Sequence, residues 1–132
     1  MIHYIDPDWI VPDWPAPPGV RALCTTRAGG VSTGPYASLN LGEHVGDVPA
    51  SVAANRERLA QAIGARPVFL RQVHGTDVAV LDPATADDTE ADAACTAQAG
   101  LACSVMVADC LPVLLTNAQG HRVAAAHAGW RG

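Results

Sequence analysis

The sequence predicts an α+β fold, a mixed or antiparallel sheet with few helices. Three observations carry this. Only Pro49 to Ile63 repeats its apolar residues at helical spacing. Several short apolar runs, bounded by Gly, Pro, Asn or Asp, read as strands. The last two of those runs face each other across a polar turn, as a hairpin does.

The bulk properties set the frame. A chain of 132 residues suffices for one domain, residues 1–132, with a real core. With 49% hydrophobic and 16% charged residues it has neither a disordered nor a coiled-coil composition. The net charge of -5 and the lack of any Lys/Arg cluster argue against nucleic acid as a partner. No apolar stretch approaches the ~18 residues of a membrane span. Met1 to Asp6 has no basic segment followed by an apolar run, so no signal peptide is expected and the expected location is the cytoplasm. None of the four cysteines has Cys-x-x-Cys spacing and three lie in apolar runs, which reads as buried, reduced thiols.

Residues 1–19 form a proline-rich arm. Pro7, Pro12, Pro15, Pro17 and Pro18 remove donors and hold it extended, and Trp9 and Trp14 pin it to the body. Val20 to Thr26 is an expected strand. The loop that follows, Arg27-Ala28-Gly29-Gly30-Val31-Ser32, reads either as a plain turn or as an anion cradle of Arg27 with the Gly29 and Gly30 amides. Residues 38–47 are loop-like; Glu43 and His44 there are ligand candidates or solvated side chains. In the helix Pro49 to Ile63, Asp47 is expected to cap, Pro49 suits the first turn and Gly64 the end. Val52, Leu59 and Ile63 give its apolar face, which is expected to cover a sheet, while Arg56 and Arg58 face solvent.

Strands are expected at Pro67 to His74, Thr76 to Leu81, Ala93 to Thr96 and Leu101 to Ala108, the last buried on both faces. The acidic run Asp82 to Asp92 lacks the ligand alternation and turn glycine of a calcium loop, so it reads as solvated. The terminal hairpin is expected to turn within Ala118 to Gly120. Pairing outward from Asn117 opposite His121 sets position 111 opposite 127 and puts Cys110 beside His127.

Three candidate ligands then stand at element ends: His74, Cys110 and His127. Two imidazoles and a thiolate match a catalytic zinc site, whose three protein ligands leave a fourth position open. Copper accepts the same donors. The spacing also allows a metal-free Cys110/His127 nucleophile pair or a plain packed hairpin.

Six segments occur in order: Thr25-Thr26-Arg27-Ala28-Gly29-Gly30-Val31-Ser32, Ser38-Leu39-Asn40-Leu41-Gly42, Asn55-Arg56, Gln72-Val73-His74-Gly75, Ala108-Asp109-Cys110-Leu111-Pro112-Val113 and His127-Ala128-Gly129-Trp130-Arg131-Gly132. Together they closely resemble the laccase-domain family, once called multicopper polyphenol oxidases. The family is now described as purine nucleoside phosphorylases, with a bacterial branch termed the peptidoglycan-editing factor. The resemblance implies zinc held by His74, Cys110 and His127. It implies phosphorolysis of adenosine, inosine and methylthioadenosine, deamination of adenosine, and a fold shared with Cys/His hydrolase-like toxins. It also implies a comparable length of chain beyond Gly132, so the expected fold is the N-terminal part of a larger one, with or without activity of its own. The old oxidase name fits poorly with the five histidines of this chain.

For phosphorolysis the protein must hold phosphate and a nucleoside. Arg27 with Gly29 and Gly30, and Arg71 or Arg131, are the phosphate candidates. Asp109 is the candidate anchor for a ligand histidine, or a proton carrier. A rival reading makes Cys110 the nucleophile and His127 the base of a thiol hydrolase acting on a peptidoglycan precursor. A monomer or weak homodimer is expected, with no membrane or nucleic-acid partner.

Overall fold

Among residues 5–130, which the computed structural model describes, the regular elements are one α-helix, one short 3-10 helix at Gly34–Tyr36 and six short strands. They divide between two units. The first combines the chain up to Trp14 with Ala22–Gly64, and the second combines Pro15–Arg21 with the chain from Ala65 onward.

The first unit is a set of loops organised by helix α1, Pro49–Ile63. Proline sits in its first turn, where a missing N–H costs nothing. Gly64 ends it with a left-handed φ of 65°, its N–H donating to the Ala60 carbonyl at 3.0 Å. The expected Asp47 cap does not form: Val48 is the cap residue. The Asp47 carboxylate accepts instead from Ser32 Oγ at 2.6 Å, Asn40 Nδ2 at 3.2 Å and the Val48 amide at 2.8 Å. The hydroxyl above all, but also the amide groups, hold its pKa below the ordinary carboxylate value against the opposing effect of burial.

The buried face of α1 is Val52, Asn55, Leu59 and Ala62, so Asn55 takes a place that periodicity assigned to apolar residues. Asn55 is fully enclosed. Its Oδ1 accepts from the Val31 amide at 2.8 Å, and its Nδ2 donates to Ser32 Oγ at 2.9 Å and to the Asn40 carbonyl at 2.8 Å. A buried amide is tolerable only when its donors and acceptor are met, and here loop backbone meets most of them. Arg56 is likewise not solvated: its side chain is 11% exposed, pairs with Glu43 at 3.1 Å and donates to the Leu41 carbonyl at 2.8 Å. The helix therefore ties loops together within its unit and does not cover a sheet there. The expected strand at Val20 to Thr26 reduces to one antiparallel bridge, Ile10 with Cys24. A ladder cannot extend along a partner that carries Pro7 and Pro12, because proline has no N–H to donate.

The second unit holds all six strands: β1 Arg66–Phe69, β2 Val78–Val80, β3 Ala93–Thr96, β4 Leu101–Ser104, β5 Leu111–Thr116 and β6 Val123–Ala128. β1 and β4 pair in parallel; the other four form a sheet in the order β2-β3-β6-β5. Within it β2 and β3 are parallel, and β3/β6 and β6/β5 antiparallel. The expected mixed sheet is thus what forms. Val68, Leu70, Leu81, Ala91 and Ala94 make the core, with Leu101 and Cys103 packed against it. β4 is shorter than expected and only half-buried. The four thiols are free and half-buried, and burial pushes Cys103 up to about 11.

The hairpin register is one residue away from the expected one: Leu111 pairs with Ala128 and Pro112 with His127. The reason is the turn. Asn117 Oδ1 accepts from the His121 amide at 2.9 Å and the Arg122 amide at 3.3 Å, while Gly120 takes a φ of 72°. The side chain thereby closes a wider loop, residues 117–122, and the strands start at Thr116 and Val123. Along a strand one position exchanges the two faces.

Removing the Asn55 amide would leave the Val31 amide and the Ser32 hydroxyl short of partners. Asn55→Ala is expected to lower stability by about 3 kcal/mol, read as a shift of the urea midpoint at constant slope.

Candidate metal centre

The period of two along β3 and β6 builds the site. Ala94 and Ala125 are paired and both buried. Two residues further along that face the register sets Asp92 against His127, and the His127 amide donates to the Asp92 carbonyl at 2.8 Å. Their side chains meet as well, Nδ1 to Oδ2 at 2.9 Å, each only 3% exposed. An ionised Asp92 fixes the proton on Nδ1 and leaves Nε2 of His127 as the free lone pair.

Asp92 does more than orient one ring. Its Oδ1 accepts from the Val73 and Gly75 amides and its Oδ2 from the His74 amide, all at 2.9 Å. These three amides wrap the carboxylate and hold His74 in a left-handed conformation at φ 59°. That region is uncommon for residues other than glycine and costs of order 1 kcal/mol. Burial pushes the Asp92 pKa up, but the Gly75 and Val73 amides, His127 and the His74 amide outweigh it and bring it from 3.8 down to about 2.

Cys110 enters from the other side. The alternation on β5, continued two residues back from Pro112, reaches Cys110 on the face that carries His127. Its Sγ lies 4.0 Å from His74 Nε2. The His74 and His127 rings stand edge to face, centroids 4.7 Å apart. The ligand atoms of His74, Cys110 and His127 all lie within 4.8 Å of one another, His74 exposed, Cys110 half-buried and His127 buried. Zinc bond lengths of 2.0–2.3 Å imply ligand separations of about 3.5 Å in a tetrahedron. The group is slightly wider than that. Two imidazoles, one of them anchored through Nδ1, and one sulfur suit zinc or copper.

The remaining candidates fall elsewhere. Asp109 does not anchor a histidine; its Oδ1 lies 3.6 Å from Cys110 Sγ, and Asp92 holds His127. Burial, then the hydrogen bond and charge of Asp109, raise the Cys110 thiol above its ordinary pKa. Arg71 is in an exposed ion pair with Glu90 at 2.9 Å. Arg131 lies outside the described residues. Of the two readings of the loop at Arg27 to Ser32, plain turn or anion cradle, the hydrogen bonds fit the turn. Arg27 donates through Nε to the Ala37 carbonyl at 2.9 Å and through a terminal nitrogen to the Pro35 carbonyl at 2.8 Å. The Gly30 amide is held by Ser38 Oγ at 3.0 Å, and a Cβ on Gly30 would collide with the Ser38 carbonyl. A Cβ on Gly29 would approach Asp6 Oδ2 to 2.9 Å. Gly30 lets the Ser38 and Leu39 backbone approach closely, and Gly29 leaves room for the Asp6 side chain.

Sequence reasoning missed Asp92, grouping it with a solvated acidic run. The alternation Asp92, Ala94, Thr96 into a strand was the available signal, since a charge in phase with a buried face needs a partner. The same run also holds Asp87, whose Oδ1 accepts from the Phe69 amide at 3.0 Å.

A family model described as multi-copper polyphenol oxidoreductase laccase matches residues 21–132.

The chain belongs to this family.

Within the laccase family it is 55% identical over 124 residues to a purine nucleoside phosphorylase of Pseudomonas aeruginosa, covering 94% of this chain and 50% of that protein. It is 54% identical over 125 residues to the purine nucleoside phosphorylase YfiH of Escherichia coli, covering 93% of this chain and 51% of that one. The crystal structure of a Neisseria meningitidis protein superposes with a TM-score of 0.90 at 51% identity, covering 94% of this chain and 51% of the other. The chain spans about half the length of the curated relatives it matches. No described helix is long and apolar enough to cross a membrane.

Asp92→Asn removes the charge while keeping the shape. It is expected to weaken zinc binding about 10–100-fold, measured by competition with a chromogenic chelator. In metal-free protein the depressed pKa of Asp92 contributes stability above the ordinary carboxylate range. That contribution is lost as pH falls from 3.8 through about 2. Acid unfolding followed by circular dichroism should show this loss, and Asp92→Asn should flatten it.

Proposed function

We propose that this chain carries the metal centre of a zinc-dependent purine nucleoside phosphorylase. The observation that carries the reading is the convergence of His74, Cys110 and His127 from three distant parts of the chain. The names borne by relatives at 55% and 54% identity support it. His74 Nε2, Cys110 Sγ and His127 Nε2 would hold the ion, with Asp92 fixing His127 and the backbone of His74. Zinc bound there would supply Lewis acidity at a fourth coordination position.

The substrates we assign are adenosine, inosine and methylthioadenosine with phosphate, with deamination of adenosine as a second activity. The exposed His74 provides the open side from which a nucleoside enters. Arg71 is the first phosphate candidate. Its pair with Glu90 is exposed on both sides (62% and 49%), so exchanging the carboxylate for phosphate costs little. Arg131 is the second candidate. Asp109, whose carboxylate lies 3.6 Å from the Cys110 sulfur, is the candidate proton carrier. The chain is proposed to work in the cytoplasm, as a monomer or weak homodimer, without nucleic acid or membrane.

The thiol-hydrolase reading finds less support. A nucleophilic cysteine needs a depressed pKa, and the surroundings of Cys110 push the other way. Copper remains the alternative ion for the same donors.

Cys110→Ala is expected to abolish stoichiometric zinc, measured by metal analysis. In a protein of the relatives' full length it should lower phosphate-dependent release of hypoxanthine from inosine at least about 100-fold. Undiminished turnover in a metal-free variant would overturn the reading. Arg71→Ala is expected to raise the KM for phosphate about tenfold or more, with a smaller effect on kcat.

A further inference from the structure

We infer that Gln72 is a positioning residue that sets the distance between two of the ligands, an inference that rests on the metal-centre reading. β1 and β4 run parallel, with Arg66 opposite Leu101 and Phe69 opposite Ser104. Beyond this ladder one strand continues to His74 and the other to Cys110. Neither extension is regular: residues 105–110 form no strand or helix. Backbone pairing has stopped where the two ligands still have to be brought together.

The Gln72 side chain replaces that pairing. Its Oε1 accepts from the Met106 amide at 2.7 Å, and its Nε2 donates to the Met106 carbonyl at 2.8 Å. A primary amide offers one acceptor and a donor in one plane, the same pair that a strand residue offers its neighbour. The parallel pair is thus prolonged by a side chain. Gln72 and Met106 are both half-buried, so the amide is partly shielded from competition by water.

Among the described residues, the hydrogen bonds that tie Val105, Met106, Val107 and Ala108 to the rest of the chain are these two, and Asp109 adds only a bond to its neighbour Cys110. Without them, among the described residues, no hydrogen bond to a distant segment holds residues 105–109 between Ser104 and Cys110. Cys110 would then sample many positions relative to His74, now 4.0 Å from its sulfur. Ordering it would have to come from the binding energy of the ion, and affinity would fall. Asp92 fixes His74 and His127 to each other; Gln72 brings the sulfur to them. Glutamine is needed for reach as well as chemistry, since asparagine is one methylene shorter and cannot span the same gap.

The test uses Co²⁺ in place of zinc, because a sulfur ligand gives a thiolate-to-cobalt absorption band that histidines alone do not. The variants are Gln72→Met, which keeps bulk, and Gln72→Asn, which keeps the amide but not its reach. Expected are zinc affinity lower by about 10–100-fold, a weaker charge-transfer band per bound cobalt, and little change in the Tm of chelator-treated protein. A residue that only stabilised the fold would lower that Tm and leave the band of bound cobalt intact, and this result overturns the proposal. So does Gln72→Met with wild-type affinity and band. Should Gln72→Met fail to fold, Gln72→Asn is read by the same criteria. Absence of stoichiometric metal in the wild-type protein would instead bring down the metal-centre reading itself. Wild-type metal whose charge-transfer band vanishes in Cys110→Ala upholds that reading, so the two failures are distinct.

Discussion

One carboxylate governs the arrangement of the second unit. Asp92 accepts from three consecutive backbone amides, Val73, His74 and Gly75, and from the ring of His127. A buried negative charge with fewer partners would be expelled or neutralised. With four donors it stays ionised. In staying so it bends the chain after β1 into the left-handed turn that aims His74 and sets the tautomer of His127. The ligand geometry is a consequence of satisfying Asp92, not an independent feature.

The first unit follows the same logic with a neutral group. Asn55 is enclosed by the loops it bonds, and its hydrogen bonds reach Val31, Ser32 and Asn40. Ser32 passes the connection on to Asp47. Loops without a ladder of their own are given a single geometry by side chains that stand in for backbone partners. Gln72 in the second unit and Asn117 in the hairpin turn are further instances. The recurring device is an amide or carboxylate completing hydrogen bonds where strands have ended.

This device explains the two kinds of departure from the expected site. Groups assigned to a ligand, Arg27 and the Gly30 amide, turn out to serve the loop in which they lie. A group assigned to solvent, Asp92, turns out to be central. In each case local composition was a poor guide, because a polar side chain has no intrinsic preference between solvent, ligand and a distant backbone amide. Its partner is chosen by the fold.

Much could be read directly from residue order. Helix Pro49–Ile63, strand Ala93–Thr96 and the hairpin follow from short-range effects: proline and glycine at the helix ends, apolar periodicity, a polar turn. The six ordered segments pointed to the family, and the resemblance singled out His74, Cys110 and His127 as ligands where their spacing alone had left a metal-free pair or a plain packed hairpin open. What only the tertiary structure decided was register and partnership. The Asn117 turn moved the hairpin by one position and so put Pro112, not Leu111, against His127. Asp92 met His127 because β3 and β6 pair as they do, 35 residues apart. Local propensity acts within a turn or two of chain, while hydrogen bonds between distant segments depend on how strands align, and that alignment is set by the packing of the whole unit.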